Sequence, residues 1–225
     1  MDHYTRDNPS PRFKLLGDLY HQLHDSGHRG GRPEQTFSGK SLLPHIGIVR
    51  ELARHTNAHS ILDYGSGKGA LYSERNLPMP QGGVISSVQE YWGVGEIWLY
   101  DPGVDEYAVR PDRQFDGVVS TDVLEHIPEE DIDWVLNECF DFARKFVYMN
   151  IASYPAVKML PNGWNAHLTV KPPAWWRRHI EKAAAGWMGR AYVFDVSEKY
   201  RGFARTLVRT VTGRKLKLTR IEKWT

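Results

Sequence analysis

The chain has 225 residues, a length that suits one α/β domain with a buried core and a modest extension. Its composition, 41% hydrophobic and 25% charged, is ordinary for a globular protein, and a net charge of +2 gives no general sign of a polyanionic partner. Cys139 is the only cysteine, which excludes an intrachain disulfide and with it a disulfide-stapled secreted fold. The chain shows no signal-peptide pattern and no run of about 18 apolar residues, so we expect a cytoplasmic protein that does not enter a membrane.

The first part of the chain is polar and rich in glycine, histidine and arginine. Apolar residues at helical spacing between Phe13 and Leu23 predict a short helix there, and the glycine-rich stretch that follows predicts a loop. We expect residues 1–40 to cover a domain formed by residues 41–225. The stretches Tyr20–His24 and Thr36–Ser41 are expected to help complete a binding pocket.

From about residue 41, apolar segments at helical and strand spacing alternate, which predicts an α/β fold: a mostly parallel twisted sheet with helices on both faces. A C-terminal antiparallel hairpin is expected to follow, closed through Thr212-Gly213. The predicted helices lie around Leu42–Ala53, Ile132–Ala143 and Trp176–Trp187. The predicted strands are Ser60–Asp63, Glu96–Asp101, Phe115–Ser120, Phe146–Ile151, Ala191–Val196, Ala204–Val211 and Leu216–Ile221.

A strand that runs into a glycine-rich turn carries the strongest functional pattern, Asp63-Tyr64-Gly65-Ser66-Gly67-Lys68-Gly69. Glycines let the backbone turn sharply and approach a ligand without a side-chain clash. The N–H groups at the start of a following helix suit an anionic group, and the carboxylate of Asp63 can pair with an ammonium group. A small ligand that carries both groups is an amino acid.

This run resembles motif I of the class I S-adenosylmethionine-dependent methyltransferases, the Rossmann-like methyltransferase superfamily. The resemblance implies S-adenosyl-L-methionine as the cofactor and assigns a set of residues to it. A dinucleotide-binding dehydrogenase is the competing interpretation, because the glycines also fit G-x-G-x-x-G/A. A dehydrogenase of this kind does not need the acidic residue that opens the run. Its ribose-binding acid lies about 20 residues after the glycines. In this chain the next strand ends further along than that. The residues assigned to the cofactor by this motif are Asp63, Gly65, Ser66, Gly67 and Gly69.

Two later segments extend the resemblance. Asp101, at the end of the second strand, matches the acid that these enzymes use for the ribose hydroxyls, although an Asp before Pro-Gly also starts a turn. The run Phe115–Ile127 resembles the family's fourth-strand motif, which ends in L-E-H. Residues 102–114 are too few for a further helix and strand, so the third-strand region is expected to be shortened. This motif assigns Thr121 and Asp122 to the cofactor, and makes Glu125 and His126 catalytic candidates.

Residues 152–176 have little regular pattern and follow the end of a strand, which predicts a substrate loop over the site. His167 resembles a histidine that related enzymes carry ahead of the next helix, as a general base or a substrate contact. A hydrogen bond within its own loop is the other interpretation. Tyr154 and Trp175 are candidate substrate contacts. One of Trp175 and Trp176 is expected to pack in the core.

These patterns predict methyl transfer from S-adenosylmethionine to an oxygen or nitrogen of a small polar metabolite, of the sugar or nucleotide type. No metal is required by the patterns. From Arg201 onward the chain has eight Lys or Arg and a single acid, Glu222. This basic segment leaves an RNA or DNA methyltransferase as an alternative interpretation. The shortened third-strand region leaves a second alternative, a methyltransferase-like protein that binds without catalysis. The sequence leaves the methyl acceptor and the oligomeric state undetermined.

Overall fold

The computed structural model describes residues 4–26, 39–79, 82–199 and 216–225. The helices in these ranges are α1 (Pro11–Ser26), α2 (Ile46–Thr56), α3 (Ala70–Ser73), α4 (Val88–Trp92), α5 (Ile132–Phe142) and α6 (Pro173–Ala183). The strands are β1 (Ser60–Tyr64), β2 (Leu77–Pro78), β3 (Val84–Ile85), β4 (Glu96–Tyr100), β5 (Phe115–Thr121), β6 (Ala143–Ala152), β7 (Ala191–Lys199) and β8 (Leu216–Trp224).

The main sheet has the strand order β4-β1-β5-β6-β7-β8. The first five of these strands are parallel to their neighbours, and β8 runs antiparallel to β7. Parallel neighbours need long crossover connections, which here contain α4, α5 and α6. The predicted α/β fold with a mostly parallel sheet and a C-terminal antiparallel pair is therefore confirmed.

Both faces of the sheet are buried, because successive residues of a strand point to opposite sides. In β1, Ile61 packs in the apolar cluster that contains α2 and α4. Its neighbour Leu62 packs in the cluster that contains α5 and α6. The prediction of helices on both faces is confirmed.

The first helix of the domain is more irregular than its apolar spacing predicts. Residues Lys40–His45 form a 3-10 helix, with Pro44 inside it, and α2 follows directly. Proline has no backbone N–H and clashes with the preceding turn, so it disrupts a regular α-helix at this point. The helix α2 then ends at Thr56, and the following residue, Asn57, has a left-handed φ of 49° and donates its N–H to the carbonyls of Ala53 and Arg54.

The third-strand region is shortened, as predicted. Within the described residues β4 forms the edge of the sheet, and only the 3-10 helix Asp105–Tyr107 intervenes before β5. The antiparallel partner observed for β8 is β7, over the whole length of both strands. The predicted strand Ala204–Val211 and the turn at Thr212-Gly213 lie outside the described residues. None of the helices in the described ranges is both long enough and apolar enough to cross a bilayer.

Candidate functional site

A cavity of about 570 Å³ opens at the carboxyl ends of the parallel strands. This is the edge at which open α/β sheets bind ligands. Its walls come from the glycine turn after β1, the ends of β4, β5 and β6, the loop that follows β6, and α1. The cavity brings together eight of the predicted site residues: Gly65, Gly67, Asp101, Thr121, Asp122, His126, Tyr154 and His167.

The glycine turn is tied to the end of β4 by its own backbone. The N–H groups of Gly65 and Ser66 donate to the carbonyl oxygen of Tyr100, at 2.7 and 3.2 Å. Gly65 has a φ of 80°, and a Cβ built there would lie 2.4 Å from the side chain of Val123. Only glycine therefore fits this position, where the turn packs against the segment that follows β5.

The helix expected to present its N-terminus to a ligand is a single turn, α3, with four residues. Two further amides of the glycine turn already donate within the protein. The N–H of Gly67 donates to Oδ2 of Asp101 at 2.8 Å, and the N–H of Gly69 to the carbonyl of Ser66 at 3.2 Å. The turn is thus a rigid, self-bonded wall rather than the start of a long helix.

Asp63, Ser66 and Gly69 lie behind the cavity wall and do not line it. The carboxylate of Asp63 accepts a hydrogen bond from the hydroxyl of Tyr72 at 2.7 Å. Burial raises the pKa of Asp63 to about 7, and the charge of Asp101 adds to that rise while the Tyr72 hydrogen bond opposes it. Asp63 therefore bonds the helix that follows the glycine turn.

Asp101 crosslinks two turns. Its Oδ2 accepts from the N–H of Gly67 at 2.8 Å, and its Oδ1 accepts from the N–H of Gly103 at 2.9 Å. The second bond is the turn-starting role that the sequence allows. Asp101 also lines the cavity, and each carboxylate oxygen has capacity for a further donor, so the ribose role stays a prediction.

The end of β5 delivers two side chains to the cavity. The hydroxyl of Thr121 lies 3.2 Å from that of Ser41. Asp122 has a left-handed φ of 55°, and its Oδ1 accepts from the amide of Asn150 at 2.6 Å. Burial raises the pKa of Asp122 to about 6, although the Asn150 hydrogen bond opposes the rise.

Glu125 lies behind these residues and is fully buried. Its Oε1 accepts from the backbone N–H of Ala152 at 3.0 Å, whereas its Oε2 has no hydrogen-bond partner within the described part of the chain. Burial, followed by the negative charge of Asp122, raises the pKa of Glu125 to about 8.

Two imidazoles meet on the same side of the cavity. The ring centroids of His126 and His167 are 4.8 Å apart, edge to face. Nδ1 of His126 lies 2.8 Å from the carbonyl oxygen of Ala166 and 2.6 Å from the hydroxyl of Tyr20. Nδ1 of His167 lies 2.6 Å from the carbonyl oxygen of Tyr154. Since a carbonyl only accepts, Nδ1 carries the proton in both rings and Nε2 carries the lone pair.

Burial favours the neutral form of both imidazoles. Burial, followed by the charge of His167, lowers the pKa of His126 to about 3. Burial also lowers the pKa of His167 below its ordinary value. With Nδ1 of His167 facing the carbonyl of Tyr154, Nε2 is the basic nitrogen of that ring.

The two predicted substrate contacts, Tyr154 and Trp175, lie in different places. Tyr154 lines the cavity, and the Nζ of Lys199 lies 4.8 Å from the centroid of its ring. Trp175 lies outside the cavity lining, because it stacks on His179 of its own helix at 3.9 Å. Trp176 is fully buried, which confirms that one of the two tryptophans packs in the core.

Several residues of the site were not singled out from the sequence. Lys158 and Lys199 line the cavity and have no sequence pattern that marks them. Asn150, which holds Asp122, is a polar residue inside an otherwise apolar buried strand, and that signal was available. Tyr20 and Ser41 belong to the N-terminal stretches that were expected to complete the pocket.

The fold and the cavity define an α/β protein with a ligand crevice at the carboxyl edge of a parallel sheet. No protein family and no curated protein matches the chain by sequence. Among solved structures, the chain is similar to the 1,6-didemethyltoxoflavin-N1-methyltransferase of Burkholderia thailandensis, crystallised with 1,6-didemethyltoxoflavin and S-adenosylhomocysteine. The match covers 96% of this chain and 92% of that chain, at 12% identity and a TM-score of 0.49. A likeness at this level carries no argument about activity.

Proposed function

We propose that the protein transfers the methyl group of S-adenosylmethionine to an oxygen or nitrogen of a small polar molecule, of the sugar or nucleotide type. One observation carries this proposal: a single cavity holds the glycines of the motif I-like turn, the acid at the end of β4, and a pair of neutral imidazoles. The first two features suit the cofactor, and the imidazoles suit an acceptor that must lose a proton.

The cofactor half of the cavity is assigned to the glycine turn and the ends of β4 and β5. Gly67 forms part of the wall with no side chain, so a ligand can approach its backbone closely. Asp101 is assigned to the ribose hydroxyls, since a carboxylate on a rigid strand end matches a vicinal diol. Asp122 lines the cavity whereas Asp63 does not, so Asp122 takes the ammonium contact first expected of Asp63.

The acceptor half is assigned to His167, His126 and Tyr154. The acceptor atom attacks the methyl carbon in line with the carbon–sulfur bond, which breaks and leaves its electron pair on sulfur. The acceptor's proton passes to Nε2 of His167, a neutral base whose ring is oriented by the carbonyl of Tyr154. The products are the methylated acceptor and S-adenosylhomocysteine, and the protein's main contribution is to position the two reactants.

Calorimetry with S-adenosylmethionine and S-adenosylhomocysteine tests the cofactor half. We expect the wild type to bind both, and Gly67→Val to abolish binding, because a branched side chain would enter the cavity at the glycine turn. Gly93→Val is the matched control: Gly93 has a comparable left-handed φ of 70°, a Cβ there meets no atom within 4 Å, and it does not line the cavity.

Two outcomes contradict the proposal. The first is a wild type that binds neither ligand. The second is a Gly67→Val variant that binds as tightly as the Gly93→Val control. A loss of binding shared by both valine variants would assign the effect to backbone strain and likewise remove this support.

A further inference from the structure

Three side chains of metal-ligand type converge at the acceptor side of the cavity. One ligand atom from each of Glu125, His126 and His167 lies within 4.8 Å of the other two. In the tetrahedral geometry usual for zinc, two ligand atoms at about 2.1 Å from the ion lie about 3.4 Å apart, so the widest pair must close by up to about 1.4 Å. Binding of an ion therefore requires these side chains to rotate toward one another.

Both imidazoles are oriented as metal ligands usually are. A ligating histidine commonly donates its other ring N–H to a backbone carbonyl or a carboxylate, which fixes the ring and the tautomer. Here Nδ1 of His126 faces the carbonyl of Ala166, and Nδ1 of His167 faces the carbonyl of Tyr154. The lone pair of each ring is therefore on Nε2.

Glu125 supplies an independent observation. One of its oxygens is held by the backbone N–H of Ala152, which fixes the carboxyl group in place. The other oxygen is buried, and no donor of the described residues reaches it. A buried polar atom without a partner costs about 1–3 kcal/mol, and structures rarely retain one without a reason. A cation bound between this oxygen and the two imidazoles would satisfy it.

We propose that Glu125, His126 and His167 bind one divalent first-row transition metal ion, such as Zn²⁺. Two imidazoles and one carboxylate form the donor set of catalytic zinc sites and of facial-triad iron sites. Mg²⁺ and Ca²⁺ prefer oxygen ligands, so two nitrogen donors select against them.

The cavity supplies the open coordination positions that a catalytic metal needs, because His126 and His167 both line it. With one carboxylate and two neutral rings as ligands, the site keeps one positive charge toward the cavity. Under the proposed function, this charge would bind the acceptor's oxygen and lower the pKa of its hydroxyl. In the loaded site His167 is then a ligand, the metal replaces it in activating the acceptor, and the hydroxyl proton passes to solvent water.

The test uses the full chain after treatment with a chelator. Titration with Co²⁺, followed by visible absorption, and with Zn²⁺, followed by calorimetry, should show one equivalent bound, and excess Mg²⁺ should not compete. His167→Gln and Glu125→Gln should each weaken the binding of both ions by at least about 10-fold. His179→Gln is the control, since His179 bonds Asp133 and is not part of the cluster.

His167 is only partly buried, so His167→Gln keeps the test valid should the buried Glu125→Gln fail to fold. No uptake of Co²⁺ or Zn²⁺ by the wild type, or equal affinity in His167→Gln and His179→Gln, overturns the metal site. S-adenosylhomocysteine binding is measured on the chelated chain, so it reports on the proposed function separately. Metal uptake without cofactor binding overturns methyl transfer alone, and the reverse result overturns the metal site alone.

Discussion

The position of Asp63 follows from the alternation of side chains along β1. Asp63 lies on the same face as Ile61, whose cluster contains α2 and α4, and Tyr64 lies on the opposite face. The sequence places Asp63 correctly at the end of a strand before the glycine turn. It does not reveal that Tyr72, on the short helix after the turn, donates a hydrogen bond to the carboxylate.

The burial of Asp63 predicts a pH-dependent stability. Its pKa rises from the ordinary 3.8 to about 7 in the folded chain, so the folded state holds a proton that the unfolded state has released. Its contribution is fully present below pH 4 and is lost as the pH rises through 7. The free energy of unfolding of the wild type, relative to Asp63→Asn, should therefore fall by at least about 1 kcal/mol between pH 4 and 8.

Chemical unfolding at several pH values, followed by circular dichroism, measures this difference. Asp141→Asn is the matched control because it removes a solvent-exposed carboxylate, and its pH dependence should follow the wild type. An Asp63→Asn variant whose stability tracks the wild type across this range would show that the buried carboxyl group stays ionised.

At the scale of the elements, β8 is held to β7 by an ion pair between an exposed arginine and a buried aspartate, as well as by backbone bonds. Arg220 lies directly opposite Asp195, and its guanidinium donates to both carboxylate oxygens, at 2.7 and 3.0 Å. Asp195 is 3% exposed, and the hydroxyl of Tyr148 is its other side-chain donor in the described residues, at 3.3 Å. The pair therefore ties the antiparallel strand to the parallel sheet.

Removing Arg220 should destabilise the chain. In Arg220→Met the carboxylate of Asp195 keeps, among the described residues, only the side-chain bond from Tyr148, which should cost about 1–3 kcal/mol. Thermal unfolding should show this as a fall in Tm of roughly 2–4 °C per kcal/mol. Lys217→Met, at the exposed position opposite Glu198, is the control and should change stability by less than about 0.5 kcal/mol. Equal effects of the two substitutions would contradict a specific role for the pair.

The sheet elements could be predicted from sequence because each buried strand is a continuous apolar run between turn residues. The shortened region between β4 and β5 was equally visible, since residues 102–114 leave no room for another strand. The single-turn length of α3 and the pairing of β8 with β7 were not, because both depend on contacts between distant segments. The same distinction applies to the site. The glycine turn is formed by neighbouring residues and could be predicted from sequence. The contact between His126 and His167 could not, because it requires the loop after β6 to fold back.

At the scale of the whole molecule, the N-terminal segment is attached to the domain at several points. The backbone N–H of Ser10 donates to Oδ1 of the buried Asp131 at 3.0 Å, and its hydroxyl donates to Oδ2. Arg6 forms an ion pair with Glu138 at 2.8 Å. These contacts place α1 so that Leu16 and Tyr20 form one wall of the cavity.

Deletion of residues 1–38 tests whether this segment is a cover, as the sequence predicts, or part of the core. The sheet should remain, because Glu138 keeps its bonds from Arg110 and Tyr64, and Asp131 keeps the one from Trp134. Stability should fall by at least about 3 kcal/mol, since the buried side chains of Leu16 and Leu19 are lost and Asp131 loses two donors. Ligand affinity should fall as well, because the cavity loses the wall that α1 supplies.

Circular dichroism, thermal unfolding and calorimetry with S-adenosylhomocysteine separate these effects. Ser10→Ala is the matched control: it removes the hydroxyl bond to Asp131 and leaves the cavity wall in place, so stability should fall and affinity should stay the same. A truncated chain without a cooperative transition would show that residues 1–38 belong to the core. A truncated chain that folds and keeps full ligand affinity would show instead that α1 covers the cavity without contributing to binding.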